Sequence, residues 1–299
     1  MQTIQLGLIG YGEVGGIFGA GLRPQVDGVQ AWDLKLQDLQ TARPLRDKAQ
    51  DDGITLCASA AELCAASNLL VSAVTASNTV AVAREAAAHL QPGTFFLDVN
   101  SASPGAKREA AALIEAAGGL YVEAGVMTSV PPYGIRVPML LGGPHADALA
   151  RRLTMFGMDV KVVSLELGVA SAIKMCRSVM IKGLEALVIE SYTAARAYGV
   201  EDHVLPTLQE TFPSIDWTEQ GRYFYSRVVQ HGRRRAEEMR EVANTVREAG
   251  FEPWMAAATA EKQDWVAGQA AQGVFDGVEK TDGWQVYADR LIASRQKSS

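Results

Sequence analysis

Cysteine is scarce: Cys57, Cys64 and Cys176 are the only three in 299 residues. They are odd in number and form no C-x-x-C pair, so the chain is no disulfide framework, and no zinc or other metal site is suggested. A reducing compartment is expected. Basic charge is also short. Lys and Arg number 28 against 34 Asp and Glu, a formal net charge of −6, and no basic block is present to follow a phosphate backbone; nucleic acid is not an expected partner. A membrane span is missing too. Residues 63–83 carry no formal charge, yet seven of these 21 are Ser, Thr or Asn, including Asn68 and Asn78. A bilayer span needs a predominantly apolar run, so a buried strand, a loop and a helix are expected there, and no membrane partner. From Met1 the chain runs into the apolar stretch Ile4 to Ile9 without a basic flank or an A-x-A cleavage signal. That pattern points away from secretion and toward the cytoplasm.

What is present is an ordinary globular composition, 48% apolar and 21% charged, which excludes disordered and collagen-like chains and, at this length, suggests two domains. Short β-rich apolar runs recur at Ile4 to Ile9, Val29 to Asp33, Ile54 to Cys57, Leu69 to Val74, Phe95 to Val99, Leu120 to Val122, Met139 to Leu141 and Val160 to Val163. Ala-rich stretches such as Ala81 to Leu90 and Ala106 to Ala117 lie between them, the alternation of βαβ units in a mostly parallel sheet. After about residue 164 the strand signal stops. From Gly168 to Gly199 there is no Pro, and Ile173, Val179, Leu184, Leu187 and Val188 follow a helical period, which predicts a helix of about 30 residues. A second helical stretch, Gly221 to Gly250, is dense in Arg and Glu with Ala236, Met239, Val242 and Val246 as its apolar stripe. Only Gln296 to Ser299 reads as a loose tail.

Gly10, Gly12 and Gly15 form G-x-G-x-x-G after the first strand and at the head of a helix. The first Gly permits a tight turn, the second lets a pyrophosphate approach the backbone, and the third lets helix and strand pack closely. Asp33 lies 23 positions after Gly10, at the end of the second predicted strand, where it can accept hydrogen bonds from an adenosine ribose. A carboxylate there repels a 2′-phosphate, so NAD is favoured over NADP, with Lys35 keeping NADP open as the alternative. The predicted fold is an α/β, Rossmann-type doubly wound parallel sheet over residues 1–165, followed by an all-α domain over 166–299 that serves substrate and dimerisation, with an interdomain helix over about 168–198.

Four motifs carry a resemblance to the β-hydroxyacid dehydrogenase family, which includes 3-hydroxyisobutyrate dehydrogenase and is related to 6-phosphogluconate dehydrogenase. Gly7-Leu8-Ile9-Gly10-Tyr11-Gly12-Glu13-Val14-Gly15 resembles G-x-I-G-x-G-x-M-G, and Asp98-Val99-Asn100-Ser101-Ala102-Ser103-Pro104 resembles D-x-S-T-x-x-P, which in that family passes near the nicotinamide. Glu123-Ala124-Gly125-Val126-Met127-Thr128-Ser129 stands at the substrate signature D-A-P-V-S-G-G. Gly168 to Lys174, followed by Ser178, resembles G-x-G-x-x-x-K-x-x-x-N, in which the lysine is catalytic. The run His231-Gly232-Arg233-Arg234-Arg235-Ala236-Glu237-Glu238-Met239 is similar to a divergent subgroup of the superfamily. The resemblance implies Gly10, Tyr11, Gly12, Glu13, Val14, Asp33, Val74, Thr75 and Asn100 at the cofactor, Met127, Thr128, Ser129 and Ser178 at the substrate, and Lys174 as general acid or base in a hydride transfer between nicotinamide and a β-hydroxy or β-oxo acid.

The residues support Lys174 on their own. It lies one helical turn before Ser178, so the two share a face, and Ile173, Met175 and Val179 are expected to keep water from its amine. Departures bear on the substrate. Ser178 replaces the usual Asn, Met127 brings a bulky group to the carboxylate pocket, and Glu237 stands where a second lysine aligns. Arg177 and Ile181 replace the His and Glu of the decarboxylating relative, which leaves no residue to protonate an enol there. An imine or ketone reductase on the same fold, or a non-catalytic NAD sensor, are the alternative readings. His89, His145 and His203 read as surface residues, while His231 and Arg235 are candidates for substrate contact. Phe212, Trp217, Tyr223, Phe224 and Tyr225 read as core or dimer interface. A 30-residue helix spans about 45 Å, more than a small helical domain covers, so a homodimer is expected.

Overall fold

Eight strands form one sheet in the computed structural model, which describes residues 3–296. In chain order the elements are β1 (Gln5–Ile9), α1 (Glu13–Leu22), β2 (Gly28–Trp32), α2 (Leu39–Asp52), β3 (Thr55–Leu56), α3 (Ala60–Ala66), β4 (Leu69–Ser72), α4 (Thr79–Ala87), β5 (Phe95–Asp98), α5 (Pro104–Ala116), β6 (Leu120–Val126), β7 (Met139–Gly142), α6 (Ala146–Met155) and β8 (Val160–Ser164). Helices follow: α7 (Val169–Tyr198), α8 (Glu201–Thr211), α9 (Trp217–Glu248), α10 (Trp254–Ala271) and α11 (Trp284–Gln296). The end of the expected loose tail, residues 297–299, lies outside the described residues.

The strand order is β3-β2-β1-β4-β5-β6-β7-β8. Side chains alternate between faces along a strand, and both faces here are apolar. Leu6, Leu8, Leu69, Val71, Phe95 and Leu97 pack with Phe18 and Leu22 of α1 and Leu149 and Leu153 of α6. Ile9, Leu70 and Phe96 face the other way, onto Leu63 of α3, Ala83 of α4 and Ile114 of α5. Helices on both faces of a largely parallel sheet make the doubly wound arrangement. One pairing is the exception in this mostly parallel sheet. β6 and β7 are antiparallel, with Glu123 opposite Gly142. Residues 127–138 between them hold only a 3₁₀ turn, and a parallel return needs a crossover, usually a helix. The same pairing carries β6 on to Val126, four residues beyond its expected end.

Local sequence sets several helix starts. Asp38, Ser59, Ser103 and Asp216 accept backbone N–H bonds at the starts of α2, α3, α5 and α9, the capping role of short polar side chains. The chain divides into two compact units, one ending at Cys176 and one beginning at Arg177, so the division falls within α7. In the second unit Val188, Ile189 and Tyr192 of α7 pack with Phe224, Tyr225 and Val228 of α9, Val266 of α10 and Trp284, Tyr287 and Leu291 of α11. Of the five aromatics from Phe212 to Tyr225, Trp217, Phe224 and Tyr225 are core, while Phe212 and Tyr223 are exposed.

Candidate functional site

The turn from β1 into α1 is shaped by its glycines. Gly10 has φ +91°, and a Cβ on it would lie 2.5 Å from the Ala73 carbonyl oxygen. A Cβ on Gly15 would lie 2.0 Å from the Gly10 oxygen, so α1 packs directly on the turn; at Gly12 nothing lies within 4 Å of the Cβ position. Gly12 is the N-cap of α1 and supplies no side-chain cap. The turn therefore offers uncapped helix N–H groups beside an open space, the arrangement that binds a phosphate. Glu13 is exposed and Val14 half-buried. Tyr11 contributes its backbone: its ring is buried and its hydroxyl donates to Asp52 Oδ2 at 2.5 Å. The Tyr11 N–H donates to Asp33 Oδ2 at 2.8 Å, and the Lys35 N–H to Asp33 Oδ1 at 2.9 Å. Both oxygens of Asp33 are thus pinned at the end of β2.

A second group of residues joins the ends of β4 and β5. Asn100 is buried; its Oδ1 accepts the Val74 N–H at 2.7 Å and its Nδ2 donates to Ser72 Oγ at 2.9 Å. Thr75 is exposed and its hydroxyl accepts from Asn78 Nδ2. Beneath Asn100 lies a fully buried cluster. Asp98 accepts from Lys107 Nζ at 2.8 Å, from the Asn100 N–H at 2.9 Å and from the Tyr121 hydroxyl at 2.7 Å, and Lys107 also donates to the Asp98 carbonyl. Burial, with the Asp98 charge beside it, holds the Tyr121 hydroxyl well above its ordinary pKa. The turns carrying Gly12, Asp33, Val74, Thr75 and Asn100 all follow carboxyl ends of parallel strands, beside the point between β1 and β4 where strand order reverses, which is where ligands bind in open α/β sheets.

Lys174 reaches the same edge. Its Nζ donates to Ser101 Oγ at 2.5 Å, next to Asn100. The helix that carries it is anchored from β6: Glu123 Oε1 accepts the Gly168 and Ala170 N–H groups at 2.8 and 3.0 Å, and Oε2 accepts from Ser171 Oγ at 2.8 Å. Gly125, also on β6, makes room, since its Cβ would lie 3.0 Å from the Ala170 oxygen. The expected apolar screen of Lys174 is only partly present: Met175 is buried, Val179 half-buried, and Ile173 exposed. On a helix neighbouring residues point about 100° apart, so Ile173 turns outward while Lys174 faces the sheet edge.

At the substrate signature, Met127 is half-buried with its N–H bonded to the Pro138 carbonyl, Thr128 is exposed and Ser129 is half-buried. Ser178 is buried one turn beyond Lys174 on α7. Arg235 is committed elsewhere: it is buried, and its Nε and Nη2 donate to the Glu185 carboxylate. His231 is half-buried, His89 and His203 exposed, and His145 half-buried. Sequence reasoning missed the Asp98, Lys107 and Tyr121 cluster and the cap made by Glu123. The available signal was an acid inside each of two apolar strands, since a buried carboxylate requires partners.

Three comparisons bear on this arrangement. Residues 5–156 match the family described as the NAD binding domain of 6-phosphogluconate dehydrogenase, and residues 195–266 match a domain of unknown function, DUF1932. A conserved hypothetical protein from Sinorhizobium meliloti is 37% identical, with 97% of each chain covered and a TM-score of 0.75. The conserved protein MTH1747 of unknown function, described as structurally similar to 3-hydroxyacid dehydrogenases, is 31% identical over 90% of this chain and 99% of its own, with a TM-score of 0.68. A 3-hydroxyisobutyrate dehydrogenase from Mycobacterium tuberculosis shares the fold at a TM-score of 0.68 over 97% of this chain and 99% of its own, at 15% identity.

Proposed function

Because the chain belongs to the family of the NAD binding domain of 6-phosphogluconate dehydrogenase, we propose that it is an NAD-dependent dehydrogenase that interconverts a β-hydroxy acid and its β-oxo acid, with Lys174 as the acid or base. The observation that carries the reading is the Lys174 amine on the Ser101 hydroxyl at 2.5 Å, beside the strand ends that bear the Gly12 turn. Gly12, with open space at its Cβ position, and the uncapped start of α1 would hold the cofactor's pyrophosphate; Asp33 would accept from its ribose and turn away a 2′-phosphate. Bound there, the cofactor would supply or accept the hydride. In oxidation the neutral amine of Lys174 takes the substrate hydroxyl proton, and in reduction the ammonium returns it. Ser101 orients the amine. Ser178 and the half-buried Met127 and Ser129 are assigned to substrate contact.

A homodimer belongs to the same proposal. Ile173, Met180 and Leu187, seven residues apart on α7, are 40%, 74% and 53% exposed, an apolar stripe along one face of a helix of 30 residues that a second copy would cover.

A screen of hydroxy acids, sugar acids, alcohols and cyclic imines with NAD(H) and NADP(H), following nicotinamide absorbance, tests the activity and the cofactor preference. With the best substrate, Lys174→Ala is expected to lose about 10²- to 10⁴-fold in turnover while NADH affinity stays within about threefold. Lys174→Arg should not recover it, because a guanidinium does not give up its proton near neutral pH. An alanine variant keeping more than about a tenth of the wild-type rate would rule out the acid–base role.

A further inference from the structure

An α-helix leaves its first N–H groups without internal partners, and a short polar residue just before it commonly fills the need. α7 begins after Gly168, which has no side chain to offer. The missing cap comes from a strand 45 residues earlier. Glu123 is fully buried on β6, and its two oxygens accept from the N–H groups of Gly168 and Ala170 and from the hydroxyl of Ser171. A carboxylate at a helix N-terminus also meets the positive end of the helix dipole. Two glycines clear the way for it. A Cβ on Gly142, the partner of Glu123 across the β6–β7 ladder, would lie 2.5 Å from Glu123 Oε1, and one on Gly125 would press on the first turn of α7.

We propose that Glu123 is the positioning residue for Lys174: by holding the first turn of α7 it sets the rotation of the helix and hence the place of the amine on Ser101. The inference rests on the reading of Lys174 as acid or base. Lys174 lies six residues beyond Gly168, about 9 Å along the axis at 1.5 Å per residue. Over that distance the first turn constrains where its side chain leaves the helix, together with β6, where the Cβ position of Gly125 lies 3.5 Å from Lys174 Cβ. At the roughly 5–6 Å radius of a helical side chain, a 10° rotation moves its tip by about 1 Å, and a misplacement of that size costs about 10²-fold in rate. The Ser101 contact cannot hold the helix itself, because four flexible bonds separate the amine from the backbone.

The test uses full-length Glu123→Ala, Glu123→Gln and Ser171→Ala. Acetylation of Lys174 by sulfo-N-hydroxysuccinimidyl acetate is followed by peptide mass, with exposed Lys161 as internal control and NADH binding by fluorescence. In Glu123→Ala the Lys174 rate should rise at least about tenfold, with Lys161 and NADH affinity within twofold. Glu123→Gln should restore the wild-type rate, because an amide oxygen accepts both N–H groups while its NH₂ donates to the Ser171 hydroxyl. An unchanged Lys174 rate in Glu123→Ala, or a rise shared by Lys161 and accompanied by lost NADH binding, overturns the proposal. If Glu123→Ala does not fold, Ser171→Ala decides: a rise of about threefold supports positioning and no rise refutes it. With a substrate in hand, Glu123→Ala should lower kcat about 10²-fold with KM within about threefold. Should Lys174→Ala turn over normally, the catalytic reading fails, while the labelling result still decides the positioning.

Discussion

The unit ending at Cys176 and the unit beginning at Arg177 bury charge for different ends. In the first, Asp98 ends β5, Lys107 reaches it from α5 and Glu123 lies within β6, and most of their bonds go to backbone: the Asn100 N–H, the Asp98 carbonyl, the Gly168 and Ala170 N–H groups. These charges set the chain path where the candidate site residues sit. In the second, Glu185 of α7 joins Arg235 of α9 and Gln263 of α10, and Lys182 joins Glu238 at 2.5 Å. Here side chain meets side chain across helices, which fixes how the helices register and leaves backbone unconstrained. One unit spends its buried polarity on a site, the other on its own packing.

Cutting one ion pair in each unit is the sharpest way to break this comparison. Arg235→Ala should cost about 3–5 kcal/mol of stability, because Glu185 is left as an uncompensated buried charge, with NADH affinity unchanged. Lys107→Met should cost a similar amount by leaving the buried Asp98 without its cation, and it should also weaken NADH binding. The pH dependence has a definite sign. Burial pushes the Glu185 carboxyl up, and the Arg235 charge opposes that push. Without Arg235 the folded-state value rises further, so the variant is least damaged below the unfolded-state value of about 4.3 and loses stability as pH rises through the folded-state value. Thermal unfolding at pH 5 and pH 8 should therefore show the larger Tm deficit at pH 8. An equal deficit at both would show that Glu185 is not the group being uncovered.

The same contrast explains what could be read from the chain beforehand. Alternating apolar runs and the Gly10 to Gly15 turn are local signals, and the first turn and the strands stand where they predict, apart from the longer β6. The antiparallel β7 was not legible, because polarity along a strand carries no direction. Nor was the exposure of Ile173: a helical period marks which residues share a face, and α7 has two apolar faces, one buried at Ile189 and Tyr192 and one outward at Met180 and Leu187. Glu123 and Arg235 escaped for one reason, since each is defined by a partner about 50 residues away, at Gly168 and Glu185 respectively. Membership of the family came through because its motifs, such as the Gly10 to Gly15 turn, are short and contiguous in the chain.

A smaller pair of effects separates packing from cofactor approach within the first unit. Gly15→Ala puts a Cβ against the Gly10 oxygen at 2.0 Å, so Tm should fall by the equivalent of about 1–3 kcal/mol and NADH binding with it. At Gly12 φ is −78° and the space is open, so Gly12→Ala should fold with an unchanged Tm and still weaken NADH at least about tenfold, roughly 1.4 kcal/mol, by filling the room a pyrophosphate needs. Wild-type affinity in Gly12→Ala would place the cofactor elsewhere.

Met180→Asp should act on assembly alone. Wild type is expected to show twice the 32.0 kDa chain mass in light scattering at low micromolar concentration, and the variant the single mass, with the Tm of each unit otherwise kept. A wild-type mass of one chain would remove the homodimer from the proposal.

The least change is expected from the thiols, and it bears on the same stripe. Burial and the Glu62 charge push the Cys57 thiol up to about 11; burial, with Glu85 and Cys57 nearby, pushes Cys64 up to about 12. At pH 8 their thiolate fractions are therefore roughly one in a thousand and one in ten thousand, and the thiolate is the reacting form. Iodoacetamide should then modify native protein only at exposed Cys176, and all three thiols in denaturant. Cys176 lies three residues after Ile173 and four before Met180, so it shares their helix face. A second copy seated on that face would shield it. Its alkylation should be slow in wild type and several-fold faster in Met180→Asp, with Lys174, two residues away and turned about 200° around the helix, keeping its acetylation rate. Equal Cys176 rates in the two proteins would mean that the stripe stays open to solvent and that any dimer forms through another surface.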